Sequence, residues 1–214
     1  MYETTPLHGG PDAQGVPLHD FSTNANACGP CPQALAALQQ ADRSRYPDPA
    51  YTALRGQLAE FHGVAADRIV IAASASEFIH RITALAARQG LRHAVLPAHG
   101  YGDYARAAAL WGLGPGEPGA AQPALHWACE PASPLGTLDA ALVRWADVPG
   151  ALRVLDCAYA PLRLDGAATA APPSAWQLWT PNKALGLTGV RAAYAIAPDT
   201  EAGAAQAAAV QALA

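Results

Sequence analysis

Apolar and polar positions alternate along the chain with two distinct periods. Between residues 50 and 63, Leu54, Leu58 and Phe61 recur every three or four positions, which predicts an amphipathic helix that ends near Gly63. The apolar run RIVIA at 68–72 is short and bounded by polar residues, which predicts a buried strand. The chain therefore contains both helices and strands.

The same criteria give an alternating order of elements along the whole chain. Helices are predicted at 32–41, 50–63, 76–89, 101–111 and 137–146 and from about residue 199, and strands at 68–72, 93–96, near 125, 152–156, 176–180 and 192–197, with a loop at 112–122. Strands that alternate with helices predict an α/β fold of three layers, with a mostly parallel sheet and helices on both faces. Ligands bind such sheets at the carboxyl ends of the strands. The last residues are predicted to be helical still.

Composition and charge exclude several classes of protein. The 214 residues carry a formal net charge of −4 and no basic cluster, which disfavours nucleic acid as a partner. No apolar run approaches the roughly 20 residues that cross a membrane, and the N-terminus lacks the pattern of a signal peptide. We therefore expect a cytoplasmic protein that binds no membrane. The five tryptophans are expected in the core or in interfaces, and four histidines are expected at helix ends or strand edges: His62, His80, His93 and His126.

Cys28 and Cys31 form a C-x-x-C pair in front of a predicted helix, as in some redox proteins. The preceding residues STNANA are a polar loop rather than the strand that such a motif follows. Metal binding is disfavoured because His8 and His19 lie too far away for local ligand spacing. Redox function stays an alternative, which alkylation kinetics would test.

Lys183 is the single lysine of a chain that has twelve arginines. The abundance of Ala, Arg, Gly and Pro suggests a GC-rich coding bias, so drift of codon usage is one explanation. However, Asp156 closes a predicted strand, and Lys183 follows the next strand along the chain. A lysine amine can form a Schiff base with an aldehyde cofactor, and a buried aspartate can keep a pyridine nitrogen protonated. The alternative is a helix-capping aspartate and a solvated lysine.

Two segments around these residues resemble a known family. VLDCAYAPL resembles the D-x-A-Y segment of fold-type I pyridoxal-phosphate enzymes, and TPNKALGLTGVRAAYAI is similar to their S/T-x-S-K-x-x-G-L-x-G-x-R-x-G-Y segment. DFSTNANACGP, RYPDPAYTALRGQLAEFHGV and ASASEFIHRI have counterparts in the same order. The resemblance is to the aminotransferase class I/II family, in the subfamily of histidinol-phosphate aminotransferase and the threonine-phosphate decarboxylases of cobalamin biosynthesis.

The resemblance implies pyridoxal 5'-phosphate as cofactor and assigns roles to residues around its ring. Lys183 would be the Schiff-base lysine and the proton shuttle at the substrate α-carbon. Asp156 would pair with the pyridine nitrogen, Tyr159 would donate to the ring 3′-oxygen, and Tyr101 would stack on the ring. A partly buried tyrosine at the start of a helix is the alternative for Tyr101.

Further residues would hold the cofactor phosphate. The amides of Ala75 and Ser76 open a helix, and such amides bind phosphate. Thr180 and Arg191 would complete the cradle, with Asn182 where the family usually has serine. Tyr46 matches a tyrosine that reaches the cofactor phosphate of the neighbouring subunit, so a homodimer is implied; otherwise YPDP at 46–49 is simply a turn.

The chain departs from the family in one loop and in length. CEPASPLG stands where the family has N-P-N-N-P-T-G, so Ser133 replaces the asparagine that contacts the ring oxygen. Family members continue into a smaller C-terminal domain, which this chain is expected to lack. The implied organisation is an N-terminal arm and first helix at 1–45, a large cofactor-binding domain at 46–198, and the start of a linker helix at 199–214.

The implied function is a pyridoxal-phosphate-dependent reaction of an amino acid or amino-acid phosphate. HGG followed by STNAN resembles the cobalamin branch of the family slightly more than the histidinol-phosphate branch. This favours decarboxylation of threonine phosphate. Transamination of the histidinol-phosphate type is the first alternative. A non-catalytic, truncated relic is the second.

Overall fold

The computed structural model describes residues 9–11, 13–143, 145 and 148–214. The helices are α1 (Pro32–Gln40), α2 (Thr52–His62), α3 (Ala75–Arg88), α4 (Gly102–Leu110), α5 (Ala140–Val143) and α6 (Glu201–Gln211). The strands are β1 (Ile69–Ala72), β2 (His93–Val95), β3 (Gly114–Pro115), β4 (Leu125–Cys129), β5 (Leu152–Asp156), β6 (Trp176–Trp179) and β7 (Ala193–Ile196).

The strands form one sheet of seven in the order β1-β7-β6-β5-β4-β2-β3. β7 runs antiparallel to both β1 and β6, whereas all the other neighbours are parallel. All five residues of β4 and of β5 are buried, because these central strands are covered on both faces. The predicted mostly parallel sheet is therefore confirmed.

Helices cover the two faces of this sheet. On one face, α3, α4 and α6 pack on the larger core, in which Phe78 lies 5.6 Å from Trp176 between ring centroids. On the other face, Leu58 and Ala59 of α2 pack on β1 and β7, and Leu142 of α5 packs on a small cluster around Leu155. The predicted three-layer arrangement is confirmed. No helix in the described part of the chain is long and apolar enough to span a bilayer.

Three elements differ from the sequence-based expectations. The predicted loop at 112–122 contains the short strand β3, which pairs with β2 at the sheet edge, where a proline is tolerated. The helix predicted at 137–146 is observed only as α5, since the Asp139 carboxylate accepts a hydrogen bond from the Ala141 amide and starts the helix there. Residues 144, 146 and 147 lie outside the described part. α6 ends at Gln211 in a turn rather than continuing to the last residue.

The predicted N-terminal arm is described only in part, since residues 1–8 and 12, including His8, lie outside the described residues. Its later portion lies against the turn between β6 and β7. The Asn26 amide donates to the Lys183 carbonyl at 3.1 Å, and the Cys31 amide donates to the Leu185 carbonyl at 2.8 Å. These contacts bring residues from two distant parts of the sequence to the same edge of the sheet.

Candidate active site

A cavity of about 1080 Å³ opens at the carboxyl ends of the central parallel strands. Parallel strands β4, β5 and β6 bring their following loops to the same edge, which is where ligands bind such sheets. Nine of the eleven residues that the sequence assigned to a cofactor site line this cavity: Ala75, Tyr101, Ser133, Asp156, Tyr159, Thr180, Asn182, Lys183 and Arg191.

Asp156 is the last residue of β5, and it is 4% exposed. Its Oδ2 atom accepts a hydrogen bond from the Tyr104 hydroxyl at 2.5 Å, and its Oδ1 atom accepts one from the Ala158 amide at 2.9 Å. Burial raises the pKa of Asp156, while the two hydrogen bonds and the positive charge of Lys183 oppose the rise. A dry carboxylate that borders a cavity is suited to pair with a protonated ring nitrogen.

Lys183 lies in the turn that connects β6 to β7, and its side chain is half-buried. The turn is closed by bonds from the Leu185 amide to the Pro181 carbonyl and from the Leu187 amide to the Asn182 carbonyl. The Nζ atom lies 5.5 Å from the centre of the Tyr159 ring, within the range of a cation–π contact. The amine thus faces the same cavity as Tyr159 and Asp156.

Tyr159 and Ser133 come from different loops and meet at the side chain of Asn24. The Asn24 Nδ2 atom donates to the Ser133 Oγ atom and to the Tyr159 hydroxyl, each at 3.1 Å. The loop of Ser133 is held by Glu130, which is 3% exposed. The carboxylate of Glu130 accepts a bond from the Asp139 amide at 3.0 Å and one from Arg163 at 2.6 Å.

The cavity also presents hydrogen-bond donors suited to an anion. α3 begins here, and the Ser74 side chain caps it by accepting from the Glu77 amide at 3.1 Å. The N–H groups in the first turn of a helix lack carbonyl partners within that helix, which includes those of Ala75 and Ser76. The helix start therefore offers two amides and the positive end of a helix dipole.

Two residues that line the same cavity have buried side-chain atoms without partners within the described part of the chain. The Thr180 Oγ1 and Asn182 Oδ1 atoms are buried, and neither has a hydrogen-bond partner among the described residues. A buried polar atom without a partner is costly, so a ligand that bonds to it would be stabilised. Together with the Arg191 side chain at the cavity wall, these groups fit a phosphate.

Tyr101 stands at the mouth of the cavity, immediately before α4, and is 37% exposed. Its hydroxyl lies 3.3 Å from the Ser76 Oγ atom, and its ring meets that of Tyr104 edge-on at 5.8 Å. Burial raises the pKa of Tyr101 to about 12, so the phenol stays neutral. Ser76 does not line the cavity itself but contacts it through this hydroxyl.

Tyr46 is a predicted site residue that does not lie with the others. Its side chain is fully exposed, and it does not line the cavity. Its role toward a neighbouring subunit stays a prediction. Cys28 and Cys31 are free thiols, and Cys31 immediately precedes α1; the residues before them form no strand, as the sequence indicated.

Tyr104, Asn24 and His126 are among the cavity residues that sequence reasoning missed. Tyr104 follows Tyr101 by three positions and so shares its helix face, which was an available signal. Asn24 is far from Ser133 in sequence, and only the fold brings them together. His126 was expected at a strand edge, which is wrong: it lies inside β4, is 4% exposed and lines the cavity.

Comparison with known proteins gives relatives over most of the chain. Residues 16–116 match the family described as Aminotransferase class I and II. A histidinol-phosphate aminotransferase of a Ruegeria species is 32% identical over 203 residues, which are 83% of this chain and 56% of that protein. The chain thus spans about half the length of the curated relatives that match most of it.

Solved structures share the fold at lower identity. Histidinol-phosphate aminotransferase from Sinorhizobium meliloti, in complex with pyridoxal-5'-phosphate, is 24% identical with a TM-score of 0.64, over 89% of this chain and 63% of that one. L-threonine-O-3-phosphate decarboxylase from Porphyromonas gingivalis is 19% identical with a TM-score of 0.69, over 90% and 67%. The family match, the relatives and the shared fold agree. The chain belongs to the aminotransferase class I and II family, among the fold-type I pyridoxal-phosphate enzymes.

Proposed function

We propose that this chain is the cofactor-binding part of a pyridoxal 5'-phosphate-dependent enzyme that acts on an amino acid or amino-acid phosphate. The observation that carries the proposal is that Lys183, from the turn after β6, and Asp156 and Tyr159, from the end of β5 and the loop after it, line one cavity. A single lysine beside a dry carboxylate has the chemistry that an aldehyde-bearing pyridine requires.

The residues present fit the cofactor at both of its ends. The first turn of α3, Thr180 and Arg191 would hold the phosphate, and the unpartnered Thr180 hydroxyl supports this. Asp156 would hold the ring nitrogen, and Tyr101 would cover the ring. When bound, the cofactor supplies an electron sink for the pair left by a bond broken at the substrate α-carbon.

Lys183 has two tasks in this proposal. Its amine would hold the aldehyde carbon of the cofactor, and as a free amine it would move a proton to or from the substrate α-carbon. The cation–π contact with Tyr159 keeps the amine beside the cavity. Asp156 stabilises positive charge on the ring nitrogen, and the Tyr104 hydroxyl fixes the orientation of its carboxylate.

Transamination of an amino-acid phosphate is the reaction that we place first. It is supported by the histidinol-phosphate aminotransferase that is 32% identical over 83% of this chain. Decarboxylation of threonine phosphate is the second candidate, favoured by the resemblance of HGG and STNAN to the cobalamin branch. The two reactions differ in whether a proton or the carboxylate leaves the α-carbon, which depends on how the substrate is oriented.

We further propose a homodimer, in which Tyr46 contacts the cofactor phosphate of the partner. The full exposure of Tyr46 is compatible with such a contact between subunits. Residues 46–198 would form the large domain, residues 1–45 an arm along it, and residues 199–214 the start of a linker.

Absorbance after reconstitution tests the cofactor assignment. Wild-type protein mixed with pyridoxal 5'-phosphate is expected to develop a visible band that survives gel filtration, and Lys183→Ala is expected to lack it. Because Lys183 is the single lysine, no other side-chain amine of that type can produce the band. A wild-type protein without the band would contradict the proposal and favour a non-catalytic relic.

Two assays then separate the reactions. Release of carbon dioxide from threonine phosphate without consumption of a keto acid would support decarboxylation. Consumption of 2-oxoglutarate with an amino-acid phosphate, without release of carbon dioxide, would support transamination.

A further inference from the structure

We propose that Asn24 is a positioning residue that turns the hydroxyl protons of Ser133 and Tyr159 toward the ring oxygen of the cofactor. It would thereby supply from the N-terminal segment the amide that the family carries at position 133. This inference rests on the proposed cofactor site and concerns a residue to which the family resemblance assigned no role.

The geometry at Asn24 is that of one donor shared between two hydroxyls. Its Nδ2 atom lies 3.1 Å from the Ser133 Oγ atom and 3.1 Å from the Tyr159 hydroxyl oxygen. A side-chain amide nitrogen carries two hydrogens, so each hydroxyl oxygen can accept one of them. All three side chains line the same cavity.

This arrangement leaves the hydrogen of each hydroxyl available for donation. A hydroxyl has a single hydrogen, and its oxygen can accept. With its oxygen engaged by Asn24, each hydroxyl keeps its own hydrogen for another acceptor. Ser133 and Tyr159 therefore offer two O–H donors on one side of the cavity, which suits an oxygen that carries negative charge. The ring oxygen of the cofactor is such an acceptor.

The position of Asn24 is fixed by bonds on both sides of it in the sequence. Before it, the Asp20 Oδ1 atom accepts bonds from the amides of Ser22 and Thr23, at 2.7 Å and 3.1 Å. After it, Asn26 is bound through its amide to the Lys183 carbonyl and through its side chain to the Ala184 carbonyl at 2.9 Å. An exposed loop residue is thus held against the site, so its amide is available at little entropic cost.

The serine at position 133 explains why a second amide is needed. A serine hydroxyl has a shorter reach than an asparagine amide, so Ser133 alone replaces the family's contact incompletely. Asn24 bonds both to Ser133 and to Tyr159, and it thereby joins the shortened side chain to the second donor.

Cofactor binding and pH titration of the visible band test the inference. Asn24→Ala is expected to weaken the affinity for pyridoxal 5'-phosphate by about tenfold, because the Ser133 and Tyr159 hydroxyls would no longer be held toward the charged ring oxygen. It is also expected to raise the pH midpoint of the band by about one unit, because misdirected donors would stabilise the negative ring oxygen less and leave the lysine nitrogen holding its proton more tightly. Ser133→Asn added to Asn24→Ala is expected to restore both values.

Asn24→Asp keeps the shape of the side chain but can only accept, so it should draw both hydroxyl protons away from the ring oxygen. It should change affinity and midpoint in the same direction as Asn24→Ala, and it serves alone if the alanine variant does not fold. Unchanged affinity and midpoint in these variants, while wild type shows the Lys183-dependent band, would overturn the inference and leave the proposed function intact. Failure of Ser133→Asn to rescue would overturn it as well. Absence of the band from wild type would instead remove the proposed function on which the inference rests.

Discussion

The hydroxyl of Tyr104 donates to the Oδ2 atom of Asp156 at 2.5 Å, and both side chains are buried. The Tyr104 ring stacks on Trp127 with a centroid distance of 4.3 Å and an interplanar angle of 15°. The aromatic stack therefore holds the hydroxyl in place, and the hydroxyl holds the carboxylate at the cavity wall. The carboxylate is oriented before any ligand arrives, which lowers the cost of binding one.

Asp156→Asn is expected to make the unliganded protein less sensitive to pH. Burial raises the pKa of Asp156 above 3.8, so the folded protein binds this proton more tightly than the unfolded chain does. Wild-type stability from this group is then fully present below pH 3.8 and is lost as pH rises through the raised pKa. Urea unfolding at a series of pH values would measure the difference in free energy of unfolding between variant and wild type. As pH rises from 3.8 through the raised pKa of Asp156, wild type should lose stability relative to Asp156→Asn. A difference in free energy of unfolding that does not change with pH would contradict the prediction.

Tyr104→Phe is expected to destabilise the unliganded protein at neutral pH. The variant keeps the ring that stacks on Trp127 but leaves the buried Oδ2 atom of Asp156 without its side-chain donor. The loss of a donor to a buried charged group costs about 1–3 kcal/mol. Because this hydrogen bond lowers the pKa of Asp156, the pKa should rise further in the variant.

Combining Tyr104→Phe with Asp156→Asn provides the control, measured by urea unfolding. The cost of Tyr104→Phe should shrink in the double variant, since the buried charge is gone. Equal costs in the two backgrounds would show that Tyr104 acts through packing alone.

Gly186→Ala is expected to separate the N-terminal segment from the turn that carries Lys183. Gly186 has a φ of +63°, and a Cβ atom there would lie 2.2 Å from the Gly29 carbonyl oxygen. Gly166 has a φ of +78° with no heavy atom within 4 Å of a Cβ position, so Gly166→Ala isolates the backbone strain, about 1 kcal/mol.

Thermal unfolding and limited proteolysis would compare these two variants. Gly186→Ala should lose more stability than Gly166→Ala, and cleavage within residues 22–31 should become faster only in Gly186→Ala. Equal behaviour of the two variants would show that the close approach to Gly29 does not hold the segment.

Much of the fold followed from local patterns, because the central strands are short apolar runs between polar turns. The runs LRVLD at 152–156 and RIVIA at 68–72 predicted strands, and the structure has strands there. The edge strand β3 was missed because Gly114 and Pro115 carry a turn signal, and only pairing with β2 makes them a strand. The shortened α5 was missed because the start of the helix depends on Asp139, whose carboxylate is held by the Cys129 amide at the end of β4 as well as by the Ala141 amide.

The cavity residues that were predictable lie directly after strands or at a helix start. Lys183, Asp156 and Ala75 are of this kind, since the ends of parallel strands must meet at one edge. Asn24 was not predictable, because its contact with Ser133 spans 109 positions and passes through a loop that has no periodic pattern. His126 was misassigned because its strand proved to be central rather than peripheral in the sheet.

The antiparallel insertion of β7 between β1 and β6 has a consequence for the behaviour of the lysine. Both strands that flank its turn belong to the sheet, and residues 26–31 hold the turn from a third direction. The main chain of Lys183 is therefore an anchored pivot, and its four-carbon side chain carries the remaining freedom. A reactive amine on such a tether can swing between two partners without any rearrangement of the scaffold that supports it.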